Sequence, residues 1–248
     1  GIRGFGLAMI DVARAIAQQF GKFTIEDDYT RKCTFTPNEN YKGKMIPFSL
    51  DGLPAVPKPL NALVDDLFKP TKKELSDYES LIGNPETQKK ASSVDFLLKA
   101  FAPIAAKIYL QLDTTFHQGN LSLEETENII IKWLKDPEYK HPAILSSNQS
   151  VKKMMQDFVA MATKQKPISL DFCVGQVWRH CQPSMYEKLS FNDCDEEVFA
   201  DIIALDESTK RYSYGPPVES IQQMIALLEA QKLDVNFVSD PDIELTNE

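Results

Sequence analysis

The sequence predicts an α/β and mostly helical protein, with a small α/β part at the two chain ends and a large α-helical insertion between them. Three observations predict it. Residues 1–60 carry short strand-like runs around one amphipathic helix. From residue 61 the apolar positions recur at helical rather than alternating spacing. Residues 211–248 return to a helix followed by strand-like pieces. At 248 residues the chain is long enough for one large domain or two small ones with a sizeable core. The expected division is 1–60 for the α/β part, 61–210 for the helical domain and 211–248 for the return.

The elements follow in order. Gly1-Ile2-Arg3 reads as the end of a strand. Leu7, Ile10, Val12, Ala13, Ile16, Ala17 and Phe20 make an apolar stripe that Gly21 ends. Phe23–Ile25 and Cys33–Thr36 are strand-like, and the polar stretch between them suggests a hairpin. Met45–Leu50 is a third strand candidate, with Pro47 marking an edge or a bulge. Pro54, Pro57 and Pro59 make 53–60 an extended connector. Helices are expected at 61–68, 71–82 and 86–112, the last kinked or broken at Pro103. Ser122 and Glu125 form a capping-box pattern ahead of an apolar run to Leu134. Further helices are expected at 149–164, 169–189, 194–209 and 217–231. Strands are expected at Asp234–Val238 and Ile243–Leu245.

Composition excludes several classes. Hydrophobic residues make up 43% and charged residues 25%, the balance of an ordinary globular protein. A net charge of −9 argues against nucleic acid and anionic membranes as partners. No apolar run approaches the length of a spanning helix, and no signal peptide is visible. The four cysteines (Cys33, Cys173, Cys181, Cys194) are sparse and form no C-x-x-C pair, which points to reduced thiols and a cytoplasmic protein. Cys173, His180, Cys181 and Cys194 are metal-ligand types, but their spacing fits no standard finger, so no metal is expected. His117, His141 and His180 make no ligand-spaced pair. No Gly-x-Ser-x-Gly elbow, phosphate-loop lysine motif or His-Glu-x-x-His supports a hydrolase, nucleotide triphosphatase or zinc protease.

One motif carries chemistry. Gly4-Phe5-Gly6-Leu7-Ala8 follows a strand and opens the first helix. Gly4 lets the chain turn. Gly6 lets the backbone approach a phosphate with no Cβ in the way. The N–H groups of the next turn then point at the anion. The third glycine of the usual Rossmann-like fingerprint is replaced by Met9, and small Ala8 can permit close helix–strand packing instead. The other reading is a glycine-rich turn that binds nothing. Ser49-Leu50-Asp51-Gly52 follows the candidate second parallel strand, whose end faces the adenosine ribose in a dinucleotide fold. Asp51 there would accept a bond from a free 2′-OH and repel a 2′-phosphate. Its other reading is a plain Asp-Gly turn. Asp11 suits the helix dipole. Arg179 and His180, taken as near a helix C-terminus, read as structural for the same reason, and Arg211–Pro217 reads as a sharp loop.

Gly4-Phe5-Gly6-Leu7-Ala8-Met9-Ile10-Asp11-Val12 resembles the pattern G-x-G-L-[ST/A]-x-x-D-V. Ser49-Leu50-Asp51-Gly52-Leu53-Pro54 is similar to an S-R-R-G-x-P segment. Both patterns occur in the NAD(P)-binding region of the bacterial FAD/NAD(P)-binding protein family, distant relatives of flavin-dependent monooxygenases of the ornithine-hydroxylase kind. Val177-Trp178-Arg179 and Tyr214-Gly215-Pro216-Pro217-Val218-Glu219 also look like the family. The resemblance implies a Rossmann-like NAD(P)-binding segment, interior to a flavoprotein whose FAD-binding portion lies outside this chain and acts as its partner. It implies that Gly4, Phe5, Gly6, Leu7, Ala8, Ser49 and Asp51 meet NAD(P), while FAD binds only in the missing part. The family's two arginines are replaced by Leu50 and Asp51, which points to NAD over NADP. The isolated chain is expected to be catalytically silent, and a homo-oligomer stays open. The rival reading is a non-catalytic helical interaction module that keeps a relic of the dinucleotide fold.

Overall fold

The computed structural model describes residues 1–116 and 121–242. Helix far outweighs strand among them. The chain divides into two units. One comprises Gly1–Leu60, Ser147–Thr163 and Tyr214–Glu248; the other comprises Asn61–Ser146 and Lys164–Ser213. Residues 147–163, expected in the helical domain, thus group with the α/β part.

In the first unit, β1 (Ile2–Arg3) leads through Gly4–Gly6 into α1 (Leu7–Phe20). Helix α1 buries Met9, Ile10, Ala13 and Ala17, a three-and-four spacing that makes one face. Leu7 and Val12, counted in the expected stripe, lie outside that face and are exposed. β2 (Gly21–Ile25) and β3 (Cys33–Pro37) form the expected antiparallel hairpin, with Phe23 opposite Phe35. β4 (Pro47–Phe48) then runs parallel to β1, placing Ile2 beside Pro47 and Arg3 beside Phe48. Parallel neighbours need a crossover, and α1 with the hairpin supplies it.

Pro47 stands at an interruption of the kind expected of an edge or a bulge: β1 and β4 form a two-stranded sheet, and no bridge is made on the other side of Pro47 itself. The far side of its strand meets the C-terminal segment through parallel bridges at Met45–Leu233 and Ser49–Ser239. Between these bridges one chain advances from 45 to 49 while the other advances from 233 to 239. The two extra residues are taken up in a turn at Asn236–Phe237. The physical reason lies in the hydrogen bonds. Met45 and Ser49 donate toward that segment, to Lys232 O at 2.9 Å and Val238 O at 2.7 Å. Pro47, next on the same side, has no N–H to donate. The neighbouring chain turns away where no donor meets it. The expected strand Asp234–Val238 is therefore two bridges around a turn. The expected strand Ile243–Leu245 lies outside the described residues, as does His117.

Two further helices complete this unit. α7 (Val151–Ala162) and α10 (Val218–Glu229) pack together, and α10 also packs on α1 and β3. Helix α10 buries Val218 and the whole stretch from Ser220 to Leu227, so it is the core element of the unit. Its glutamines are used: Arg14 Nε donates to Gln223 Oε1 at 2.6 Å, and Gln222 Nε2 donates to Thr30 O at 2.9 Å.

The second unit is helical. It contains α2 (Ala62–Asp65) with a tight turn at Asp66–Phe68, α3 (Lys72–Ile82), α4 (Pro85–Lys90), α5 (Asp95–Leu110), α6 (Leu123–Lys135), α8 (Leu170–Leu189) and α9 (Glu196–Ser213). The Ser122–Glu125 capping box forms as read: Ser122 Oγ accepts from Glu125 N at 3.2 Å and Glu125 Oε2 accepts from Ser122 N at 2.8 Å. The break expected at Pro103 falls instead at 91–94, where Ser93 Oγ accepts from Asp95 N at 3.3 Å and helps start a new helix. Pro103 stays inside α5 because burial against α3, α6 and α8 outweighs one lost backbone bond. Trp178 packs edge-on against Phe101 with ring centroids 4.8 Å apart, and Phe68 packs against Phe172 at 5.7 Å. Arg211–Ser213 form the last turn of α9 rather than a loop, and Tyr212 is buried.

Candidate functional site

The parallel pairing of β1 and β4 decides the geometry of the candidate site. Both strands end on the same side. Gly4–Gly6 follows one, Ser49–Gly52 follows the other, and Gly4 N donates to Phe48 O at 2.7 Å between them. Two segments separated by more than forty residues in the chain thus become neighbouring turns.

The glycine turn has the expected shape. Gly4 has φ +104°, a conformation that side chains resist. Gly6 is the N-cap of α1 and is exposed, and a Cβ built on it would meet nothing within 4 Å. No side chain caps α1, and its first turn carries no acid. Backbone N–H groups at Leu7 and Ala8 therefore face an exposed, uncrowded surface. Phe5 is different. It is buried and anchors the turn in the core, so its side chain cannot line a ligand surface. Asp11 lies beyond the first turn, exposed, with a carboxylate oxygen 3.8 Å from Arg14.

The side chains of the second turn bond within it. Ser49 Oγ donates to Asp51 Oδ1 at 3.2 Å and accepts from Gly52 N at 3.0 Å. Asp51 Oδ1 also accepts from Leu53 N at 3.0 Å. Asp51 is thus an Asx-turn residue, with Oδ2 left outward on an exposed side chain. Leu50 beside it is 86% exposed, an uncommon state for leucine. Residues the sequence reading did not include stand at the same edge. Ser49 N donates to Val238 O and Asp240 N donates to Ser49 O, both at 2.7 Å. This pairing joins segments nearly two hundred positions apart, and no local signal announces it.

A cleft of about 610 Å³ opens in the same unit at the other ends of these strands, lined by Lys44, Ser150, Lys152, Leu233, Asp234 and Asn236 among others. The glycine turn is not part of it. Its cations are held locally, Lys44 by Asp234 at 3.8 Å and Lys152 by Glu229 at 3.0 Å.

The second unit holds its polar groups inside. Asp206 accepts from Trp178 Nε1 at 3.0 Å, Gln182 Nε2 at 2.8 Å and Tyr186 Oη at 2.7 Å. Asp171 accepts from Leu145 N at 2.9 Å and Tyr212 Oη at 3.0 Å, and burial pushes its carboxyl above the usual range. Arg179 and His180 sit mid-helix rather than at a C-terminus. Arg179 pairs with Asp65, and His180 Nε2 lies 3.4 Å from the same carboxylate. Burial and the neighbouring guanidinium lower the His180 pKa. Burial raises the Cys181 thiol to about 12 and the Cys33 thiol to about 11, so these are packing residues. Among the described residues no three His, Cys, Asp or Glu side chains converge as metal ligands. Nor is any described helix long and apolar enough to cross a membrane. No family model matches the chain, and no curated protein sequence matches it.

Proposed function

We propose that the first unit binds a nicotinamide dinucleotide, as the NAD(P)-binding segment of a monooxygenase-like flavoprotein oxidoreductase whose FAD-binding portion lies outside this chain. The observation that carries the reading is the parallel β1–β4 pair, which brings a left-handed Gly4, an open Gly6 and an uncapped helix start beside the Ser49–Gly52 turn. The residues present fit a pyrophosphate. A Cβ at Gly4 or Gly6 would meet nothing within 4 Å, and helix N–H groups are at hand for an anion. Leu7 and Ala8 would contribute backbone donors; Phe5 would act only from beneath. Asp51 would offer its outward oxygen to a ribose hydroxyl and repel a 2′-phosphate, favouring NAD over NADP.

A bound nicotinamide would supply a hydride for a flavin held elsewhere. This chain's own residues would bind and orient the dinucleotide, and the chain alone would be silent. Titration calorimetry with NADH tests the reading. Gly6→Val should abolish the heat, because a branched side chain would fill the space the phosphates need. Asp51→Arg should move the preference toward NADPH by roughly tenfold, the worth of one partly exposed charge contact. A chain giving no heat at millimolar NADH favours the interaction-module reading. A specific observation stands behind that alternative: Phe191 is 99% exposed on the turn after α8, and exposed Asp193, Asp195 and the first residues of α9, Glu196 and Glu197, follow it.

A further inference from the structure

Resting on that reading, we infer that the segment Val238–Asp240 is a positioning element of the dinucleotide site, holding the Asp51 turn at the ribose and so governing the choice between NADH and NADPH. Four observations carry it. The amide of Ser49 is held by Val238 O and its carbonyl by the Asp240 amide, both at 2.7 Å, so both backbone polar groups of the residue that starts the turn are committed to this segment. Ser49 Oγ in turn bonds Asp51 Oδ1 and Gly52 N, which passes the constraint to the carboxylate. Gly52 has φ +65° and is pressed against Ser239: a Cβ there would lie 2.8 Å from Ser239 Cβ and 3.0 Å from its Cα. Asp240, whose amide bonds Ser49 O, has φ +37°, a conformation that aspartate tolerates better than most residues. The first and last residues of the turn are therefore tied to this segment. Its position is that of a segment entering from the far end of the chain.

The test uses the full chain, with NADH and NADPH as probes. Gly52→Ala should weaken NADH about tenfold and bring the NADH-to-NADPH affinity ratio toward one, since displacement at a contact of this kind costs an order of magnitude. Adding Ser239→Gly should recover at least threefold of the loss, because part of the clash is removed. In the unmodified chain, NADH should slow hydrogen exchange at the Ser49 and Asp240 amides as well as at Gly6–Ala8. This last measurement decides the matter if Gly52→Ala does not fold. An unchanged ratio in Gly52→Ala, no recovery in the double variant, or protection at Gly6–Ala8 without protection at Asp240 overturns the positioning role. A wild-type chain that binds no NADH removes the dinucleotide reading itself, and this inference with it.

Discussion

The two units treat their carboxylates in opposite ways. In the helical unit, Asp206 and Asp171 are buried and surrounded by donors that reach them from other helices and loops. In the α/β unit, Asp51 is exposed, satisfied on one oxygen by its own turn and open on the other. A carboxylate of the first kind is committed to the fold, since it is buried and holds two or more donors from other segments at once. One of the second kind costs the fold little and is available. The contrast also covers backbone groups. Helices α3 and α6 begin with full capping boxes, whereas α1 begins at a bare glycine. Polar groups that the fold uses are covered by the fold, and those at the ends of β1 and β4 are not.

Four substitutions test this contrast, taken from the largest expected effect. Gly175→Val should cost at least ~3 kcal/mol, because a Cβ at that position would lie 2.3 Å from Tyr212 Cβ inside the core. Both tryptophans, Trp133 and Trp178, belong to the helical unit, so fluorescence during urea unfolding reads that unit directly. A loss under about 1 kcal/mol would mean that α8 and α9 are not packed as described. Asp206→Ala should cost about 1–3 kcal/mol in the same assay, since it removes the acceptor of the buried Trp178 indole N–H and one acceptor each of Gln182 and Tyr186. An effect no larger than that of an exposed aspartate would mean that Asp206 is not committed to the fold.

Asp171 adds a pH signature. Burial raises its carboxyl in the folded state, so the native chain holds a proton that the unfolded chain has released. Stability of the helical unit should then fall as pH rises above the ordinary carboxylate value of about 4, with a slope of up to ~1.4 kcal/mol per pH unit from this one group. Asp171→Asn should flatten that slope, and an unchanged slope would assign it to other groups. The smallest effect is expected at Asp51. Asp51→Ala should change stability by no more than about 0.5 kcal/mol, read by far-ultraviolet circular dichroism. A loss near 2 kcal/mol would make Asp51 a structural residue like Asp206.

Much of the architecture was legible in local pattern. The span of α1, the hairpin at Phe23 and Phe35, and the Ser122–Glu125 start of α6 all follow from signals contained within a few turns of chain: apolar spacing, a polar reversal, a cap. Three readings failed because the deciding term was not local. Pro103 is carried within α5 by burial on several sides. Arg179 and His180 were read against their own helix, whereas their partner is Asp65, more than a hundred positions earlier. Residues 147–163 looked like one more helix of the helical domain, but that helix packs on α10.

The candidate site divides the same way. Sequence alone determined that Gly4-Phe5-Gly6 would turn between a strand and a helix, and that Ser49–Gly52 would turn after a strand, because glycine, aspartate and serine have conformational and hydrogen-bonding preferences that act over two or three residues. Only the tertiary structure decided that these turns share one edge, that Phe5 points into the core, and that Val238–Asp240 grips the second turn. Those outcomes depend on which strands pair and in what register. Register here is settled by contacts between residues 2–4, 45–49 and 233–239, and by one proline that has no proton to donate where its neighbour would need it.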